Sequence, residues 1–359
     1  MNKFWFTFVL FGCLTSVFAQ LKPGFDKQEY LNLLEVSAHN SGPDSTTKIP
    51  LPADCKRVYS SPVVGLDNKW ELWIRSDNVA VISLRASIAT SASWLENFYA
   101  AMIPAQGNLK INDSTVVPYQ FARNSQATTH VGWSLGAILL YRDIRPKMDS
   151  LFQHGTHDFI LIGHSQGAAL ANLVHSLIYY DQQANRLPKD LVVKSYCSAM
   201  PKPGNLYYAY DFEAAHRNWS FTVLNARDWV PEVPFSIQTT DDFNKVNGIQ
   251  MLKSQIKKLP PVKRMALKSV YNKLDRPLKK ARKNFIQVLG TMIYKFVDKD
   301  LKDFPKPSYA NTMNYTRCGT PIILNDFDAT YDKRFPQDVN GNFLAQHSYE
   351  AYIYLIQKL

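Results

Sequence analysis

The stretch FILIGHSQGAALANLV, residues 159–174, constrains the fold more than any other part of the chain. Four consecutive apolar residues end at Gly163, which is typical of a strand buried on both faces, as in a parallel sheet. From Ala168 onward, apolar residues recur every three or four positions, which predicts a helix. Between the two, GHSQG fits G-x-S-x-G, with Ser165 on a tight strand-to-helix turn. We therefore predict an α/β fold with a mostly parallel central sheet that displays Ser165 at one edge; the alternative is a glycine turn without a chemical role.

Further strands are expected on both sides of this motif. Residues 191–199 and 221–226 are rich in β-branched and aromatic residues and are bounded by charged or turn residues. Upstream, WELWIRS and VAVISLRAS are separated by Asp77 and Asn78, which favours a hairpin or two neighbouring strands. Most of the sheet is thus expected before residue 230.

The chain is long and apolar enough to bury a sizeable core, with 359 residues of which 46% are hydrophobic and 20% charged. Residues 1–19 carry one lysine, an apolar run and a small-residue site ending at Ala19, which predicts a cleaved signal peptide. An uncleaved anchor or lipidation at Cys13 are the alternatives. We expect a secreted or periplasmic protein, formed by one domain over residues 20–359. After cleavage three cysteines remain, which allow at most one internal disulfide: Cys55, Cys197 and Cys318.

A serine nucleophile needs a base and an acid that orients the base. In chains that use G-x-S-x-G, the acid precedes the histidine, and both follow the serine. His175 lies on the helix after Ser165, where we expect it at the surface. His216 precedes the last predicted strand and is expected to cap a helix or to face solvent. His347, before a final helix, is therefore the predicted base.

The predicted acid is Asp228, just past the second strand that follows the nucleophile strand. At that position a carboxylate lies at the sheet edge where Ser165 is displayed. Glu232 is the rival acid, and a turn-capping role for Asp228 before Pro231 is the structural alternative.

Several separated motifs resemble the class 3 lipases, an α/β-hydrolase family that includes the secreted fungal triacylglycerol lipases. The resemblance runs from about residue 25 to 234 and returns around His347. The segments that carry it are VISLRAS, SWLENF, THVGW (His130, Gly132, Trp133), YCSAMPKPGN (Tyr196, Pro201, Gly204, Asn205) and the D-x-V-P-x-x-P match at Asp228, Val230, Pro231 and Pro234. Ala86 and Ala168 stand where the family more often has glycine, so the acyl pocket is expected to differ.

This resemblance implies a serine hydrolase that cleaves carboxylic esters of lipids through an acyl-enzyme. It implies an oxyanion hole at Ser87 and the backbone N–H of Gln166, and a helix over residues 93–107 that covers the site. We expect this helix to be a mobile lid with Gly107 as a hinge; a permanently buried helix is the alternative. The residues expected to cover the cleft or contact substrate are Trp94, Leu95, Phe98, Met102, Ile103 and His164. No metal or cofactor is expected. Phospholipase or thioesterase activity, or a non-catalytic protein that binds lipid surfaces, remain the alternatives.

A strongly basic segment separates the predicted acid from the predicted base. Residues 253–302 hold fifteen Lys or Arg and three Asp, a balance of +12 against +11 for the whole chain. Apolar residues recur in it at helical spacing, which predicts two or three amphipathic helices, broken at Pro260 and Pro277, within an insertion at about 240–304. The segment either packs as a cap or docks on an anionic membrane or micelle, with Lys279, Lys280, Arg282 and Lys283 as its densest cluster. Nucleic acid is not an expected partner, and the oligomeric state stays open.

Overall fold

The computed structural model describes residues 21–40, 48–338 and 341–359, so the predicted signal peptide and Cys13 lie outside the described residues. Within these ranges a seven-stranded sheet has the order β1-β2-β3-β8-β9-β11-β13. Its strands are β1 (Cys55–Ser60), β2 (Trp70–Arg75), β3 (Ala80–Leu84), β8 (Asp158–His164), β9 (Val192–Ser198), β11 (Ser220–Asn225) and β13 (Thr320–Leu324).

The sheet is mostly parallel, as predicted. Strands β3, β8, β9, β11 and β13 run parallel to one another, whereas β2 is antiparallel to both β1 and β3. The predicted hairpin is β2 and β3, with Asn78 in its turn at φ +67°. The α/β fold class is thereby confirmed. Strand β8 lies at the centre of the sheet, and its residues are all buried because both faces of the sheet are covered there.

Six short strands form two smaller sheets. Four of them pair in the order β12-β10-β7-β4, and β5 pairs with β6. Their bounds are β4 (Met102–Pro104), β5 (Gln106–Lys110), β6 (Val116–Gln120), β7 (Thr128–His130), β10 (Gly204–Asn205) and β12 (Tyr315–Thr316).

Helices cover both faces of the central sheet. In chain order, the helices of the described residues are α1 (Lys27–Asn40), α2 (Ser91–Phe98), α3 (Val131–Gln153), α4 (Gln166–Gln183), α5 (Leu206–Ala215), α6 (Gly248–Lys258), α7 (Pro261–Ile286), α8 (Ile293–Asp300), α9 (Ala329–Arg334) and α10 (Tyr349–Lys358). Phe159 and Leu161 of β8 enter the core shared with α3 and α4, whereas Ile160 and Ile162 enter the core shared with α1 and α10. The alternation follows from the two-residue period of a strand.

The basic segment forms a long helical arm. Helix α6 leads into α7, and a π-helical turn, Gln287–Met292, joins α7 to α8. The predicted break at Pro277 is wrong: α7 passes through this proline. A proline removes one helical hydrogen bond and kinks a helix, but it need not end it. Within the described ranges, the helices are all too short or too polar to cross a membrane.

Candidate active site

Ser165 occupies a sharp turn between β8 and α4. Its backbone has φ +58° and ψ −128°, a conformation that costs energy for a residue with a side chain. The flanking glycines permit the turn because a Cβ at Gly163 would lie 2.2 Å from the carbonyl carbon of Gly167. A Cβ at Gly167 would lie 2.3 Å from the carbonyl oxygen of Leu84. This strand, turn and helix arrangement is the context that the G-x-S-x-G motif requires for a nucleophile.

His347 and Asp228 form a short hydrogen bond. His347 ends the 3₁₀ turn Ala345–His347 before α10, and its Nδ1–H donates to Oδ2 of Asp228 at 2.6 Å. Asp228 is buried, and its two oxygens also accept from the backbone N–H of Val230 at 3.0 Å and from the hydroxyl of Tyr352 at 2.8 Å. The carboxylate is therefore fixed at both oxygens. Glu232, the rival acid, is exposed in the turn that follows Asp228.

Ser165, Gln166, Ser87 and His347 line one cavity of about 370 Å³. Most other residues that line it are apolar or aromatic, and its mouth carries exposed aromatic side chains. The mouth residues, with their exposed fractions, are Trp94 (36%), Phe98 (53%), Trp229 (38%) and Phe235 (67%). An apolar pocket with a few convergent polar groups suits an acyl chain attached to a polar ester.

The residues predicted for the oxyanion hole contact each other. The Ser87 hydroxyl donates to Oε1 of Gln166 at 2.7 Å and accepts from Nδ2 of Asn97 at 2.8 Å. Its hydrogen is therefore engaged with Gln166. Gln166 is the first residue of α4, where a backbone N–H has no acceptor within the helix and can bind an anion.

Sequence reasoning missed the buried polar network behind these residues. Nε2 of Gln166 donates to Asn68 at 3.3 Å, and Nδ2 of Asn68 donates to Oε2 of Glu96 at 2.6 Å. Burial raises the pKa of Glu96 well above its usual value. Asn97 of α2 also accepts from the indole N–H of Trp133 at 2.9 Å. The sequence carries no local signal for the burial of Glu96, which depends on the packing of α2 against α3.

His164 lies beneath His347 and is itself buried. Its Nε2–H donates to the backbone carbonyl of His347 at 2.7 Å, so Nδ1 accepts from the Ser198 hydroxyl at 3.1 Å. Burial and the neighbouring His347 hold the pKa of His164 well below its usual value, so its ring is neutral. His164 borders the cavity, but both of its ring nitrogens are already hydrogen-bonded, one to the carbonyl of His347 and the other to Ser198 of β9.

The segment expected to form a fifteen-residue lid is divided between a helix and two strands. Trp94 and Phe98 lie on α2 with stacked rings, 6.1 Å apart, whereas Leu95 packs against the core and does not line the cavity. The prediction that Met102 and Ile103 cover the cleft is wrong. Both are buried in β4, which pairs with β7.

Gly107, predicted as a hinge, lies within β5, which pairs with β6 along its length. The wrong prediction for Met102 and Ile103 has a simple cause. Strand β4 has three residues, too few to show the two-residue period of a strand, so the helical pattern of the preceding residues is easily extended over it.

The two other histidines downstream of Ser165 lie together in the core, away from the cavity. His175 is buried with its Nδ1 2.9 Å from the Ser195 hydroxyl, so its predicted place at the helix surface is wrong. His216 caps the C-terminal end of α5, as expected, but it is buried against the ring of His175 at 4.0 Å. The described residues contain no group of three or more His, Cys, Asp or Glu side chains able to hold a metal ion, and Cys55, Cys197 and Cys318 are buried free thiols.

Residues 81–238 match the family model described as Lipase (class 3). This match confirms the resemblance to class 3 lipases, and it covers β3, the Ser165 turn and Asp228. His347 lies beyond the matched residues. A comparison with curated proteins finds no significant match.

Solved structures that are similar to this chain include three fungal lipases. The lipase of Rhizomucor miehei in a propeptide complex has 18% identity and a TM-score of 0.44, over 59% of this chain and 65% of that one. Lipase II of Rhizopus niveus has 18% identity and a TM-score of 0.43, over 58% and 74%. The lipase of Rhizopus microsporus var. chinensis has 20% identity and a TM-score of 0.43, over 58% and 69%. The match thus spans just under two thirds of the Rhizomucor miehei chain.

Proposed function

We propose that this protein is a serine hydrolase that cleaves carboxylic esters of lipids, with Ser165 as nucleophile, His347 as base and Asp228 as the acid that orients His347. The observation that carries the proposal is the 2.6 Å hydrogen bond between His347 and buried Asp228, beside a cavity that His347 shares with Ser165. The class 3 lipase match of residues 81–238 supports the same activity.

In the proposed reaction, Oγ of Ser165 attacks the ester carbonyl carbon while its proton passes to Nε2 of His347. The tetrahedral intermediate collapses, the C–O bond of the alcohol breaks, and His347 returns the proton to the leaving alkoxide. Water then attacks the acyl-enzyme, gives its proton to His347, and releases the acid as Ser165 Oγ is reprotonated. Asp228 stabilises the imidazolium in both steps.

The developing oxyanion needs donors that are already in place. We assign this role to the backbone N–H groups of Gln166 and Ser87; hydrogen bonds to Asn97 and Gln166 hold the Ser87 side chain in position. The chemistry of these residues involves no metal or cofactor.

An apolar cavity supports an acyl substrate but does not select the head group. A phospholipase or a thioesterase uses the same nucleophile, because the turn serves any activated acyl group. Esters and thioesters of graded chain length distinguish these activities. The ester whose acyl chain fits the cavity should give the highest kcat/KM.

The competing function is a lipid-binding protein without catalysis. Wild type and Ser165→Ala, compared on a chromogenic short-chain ester, separate the two. We expect wild-type hydrolysis to exceed that of Ser165→Ala by at least a thousandfold. Equal background rates would reject the enzyme.

We further propose that residues 20–359 form a single hydrolase domain with a helical insertion at about 240–304. The protein is exported after cleavage behind Ala19. Protein recovered from the medium or the periplasm of expressing cells should begin at Gln20, as read by N-terminal sequencing. Retention in the cells with Met1 intact would contradict secretion.

A further inference from the structure

Helix α7, the π-helical turn Gln287–Met292 and helix α8 together expose an apolar stripe. Its six members recur along the arm at helical positions and have exposed fractions between 44% and 69%: Val270, Leu274, Leu278, Val288, Met292 and Phe296. Partly buried Ala281 and Phe285 fill the gap in the spacing, so the stripe follows one side of the arm. An amphipathic helix normally buries such a stripe, and a contiguous exposed apolar surface marks an interaction site.

Cations surround the stripe, and most of them form no ion pair with a residue that the structure describes. Of the fifteen Lys and Arg residues in 253–302, Lys279 and Arg282 pair with Asp241, and Lys279 also pairs with Asp275. No salt bridge to a described residue is recorded for the other thirteen. Lys273 and Lys295 directly precede Leu274 and Phe296.

Exposed Lys280 directly precedes Ala281 of the stripe, and exposed Lys263 lies seven residues before Val270, which places Lys263 on the same side of the helix as Val270. The long stems of such lysines let their charges reach a head-group layer while the stripe lies deeper.

The stripe continues to the mouth of the cavity. Phe285 meets Phe235 ring to ring, with centroids 5.7 Å apart. Phe235 and Leu289, one turn beyond Phe285, both line the cavity that contains Ser165. A flat partner on the stripe would therefore also reach the mouth.

We propose that the stripe and its flanking lysines dock on the surface of an anionic lipid aggregate and hold the cavity mouth against it. Charge selects this occupant: two copies of the chain joined through the stripe would bring two segments of +12 together, whereas anionic head groups neutralise them. The proposal rests on the proposed function only for the identity of the substrate, because docking itself needs no turnover.

Lys279 and Arg282 are unsuitable for testing this proposal, although the sequence singles out their cluster. Both anchor α7 to Asp241, and Arg282 is buried and also donates to Thr239 at 2.9 Å. Removing them would disturb the arm itself. The charge variant is therefore K263Q/K273Q/K280Q/K295Q, and its matched control, K22Q/K56Q/K189Q/K333Q, removes four other exposed lysines.

The apolar variant is V270Q/L274Q, with V58Q/V63Q as its control, since all four side chains are at least half exposed. All variants carry Ser165→Ala, so that binding is measured without hydrolysis. The readout is co-sedimentation with vesicles of phosphatidylglycerol and phosphatidylcholine, or of phosphatidylcholine alone, at low and high salt.

We expect binding to the anionic vesicles only, and weaker binding at high salt. Each lysine near the surface contributes about fivefold to binding, so the charge variant should lose tenfold or more. The apolar variant should lose a similar factor, whereas both controls should stay within twofold.

Equal losses in variants and controls would overturn the proposal. Undiminished vesicle binding by V270Q/L274Q would also overturn it. A concentration-dependent dimer, seen by light scattering and abolished in this variant, would assign the stripe to a second copy of the chain instead. Hydrolysis of a soluble ester by the same variants with Ser165 intact is measured separately. If that activity is absent while docking persists, the proposed function fails and docking stands.

Discussion

Glu96 is a carboxyl group enclosed by protein, and its environment favours the neutral form. Oε2 accepts from Asn68, whereas Oε1 has no hydrogen-bond partner among the described residues. Burial raises the pKa well above 4.5, so folding at neutral pH requires this group to take up a proton. The glutamate therefore connects α2 with Gln166 as a neutral polar group.

Glu96→Gln should remove a pH-dependent penalty. Since the folded-state pKa is raised, the contribution of Glu96 to stability is fully present below about pH 4.5 and is lost as pH rises toward the folded-state pKa. The variant should be about 1–3 kcal/mol more stable than wild type at pH 8, with a smaller difference at pH 5. Urea denaturation at both values measures this difference. Glu350→Gln, at an exposed position, should show no such trend. Wild-type and Glu96→Gln stabilities that run parallel between pH 5 and 8 would refute the neutral state.

Tyr352 stabilises the buried charge of Asp228 through its hydroxyl. Tyr352→Phe removes one hydrogen bond to a charged group, so the free energy of unfolding should fall by about 1.5–3 kcal/mol. Tyr354→Phe, in the same helix, loses a hydrogen bond to the more exposed Asp328 and should cost less than about 1 kcal/mol. Equal losses in the two variants would show that burial does not strengthen the Tyr352 contact.

At the scale of elements, the strand, turn and helix around Ser165 were predictable because three local signals coincide. The apolar run, the two glycines and the helical period all lie within residues 159–178. Strand β4 was not predictable: it is three residues long, and its partner Thr128–His130 lies far along the chain. The burial of His175 was missed because α4 is covered on nearly all sides, which an amphipathic pattern does not indicate.

The turn itself predicts which glycine can be replaced. Gly163→Ala places a Cβ 2.2 Å from backbone atoms of Gly167 and should destabilise the protein by more than about 3 kcal/mol. Gly248→Ala, at the start of α6, meets no atom within 4 Å and should be neutral or stabilise by up to about 1 kcal/mol. Thermal unfolding of both variants measures the contrast. A Gly163→Ala protein as stable as wild type would contradict the close approach of strand and helix.

For the whole molecule, charge and apolar exposure are concentrated on the arm and beside the cavity. The pairing of His347 with Asp228, and the cavity that His347 shares with Ser165, could be predicted from the order of these three residues along the chain. The exposed stripe was not, because the helical period of α7 and α8 is the same whether its apolar side meets a core or solvent. Only the packing of the arm in the structure shows that its apolar side meets solvent.

The exposed apolar residues on the arm and at the cavity mouth predict that the rate of hydrolysis depends on a lipid surface. Exposed Trp94 and Phe98 at the mouth favour contact with an aggregated substrate, so the rate should rise steeply once a short-chain ester passes its solubility limit. V58Q/V63Q, which alters exposed apolar residues elsewhere, should keep this rise. A rate that saturates smoothly as the ester passes its solubility limit would contradict this prediction.

Covalent labelling with an alkyl fluorophosphonate, read by intact mass and peptide mapping, tests directly whether Ser165 is the nucleophile. A serine activated by His347 displaces fluoride and keeps the phosphonyl group on Oγ, whereas an ordinary serine does not react. We predict one adduct per chain, located on the peptide that contains Ser165, with ester hydrolysis lost in proportion to labelling. His347→Ala should remain unlabelled under the same conditions. An unlabelled Ser165 in a protein that hydrolyses esters, or an adduct on another residue, would contradict this account.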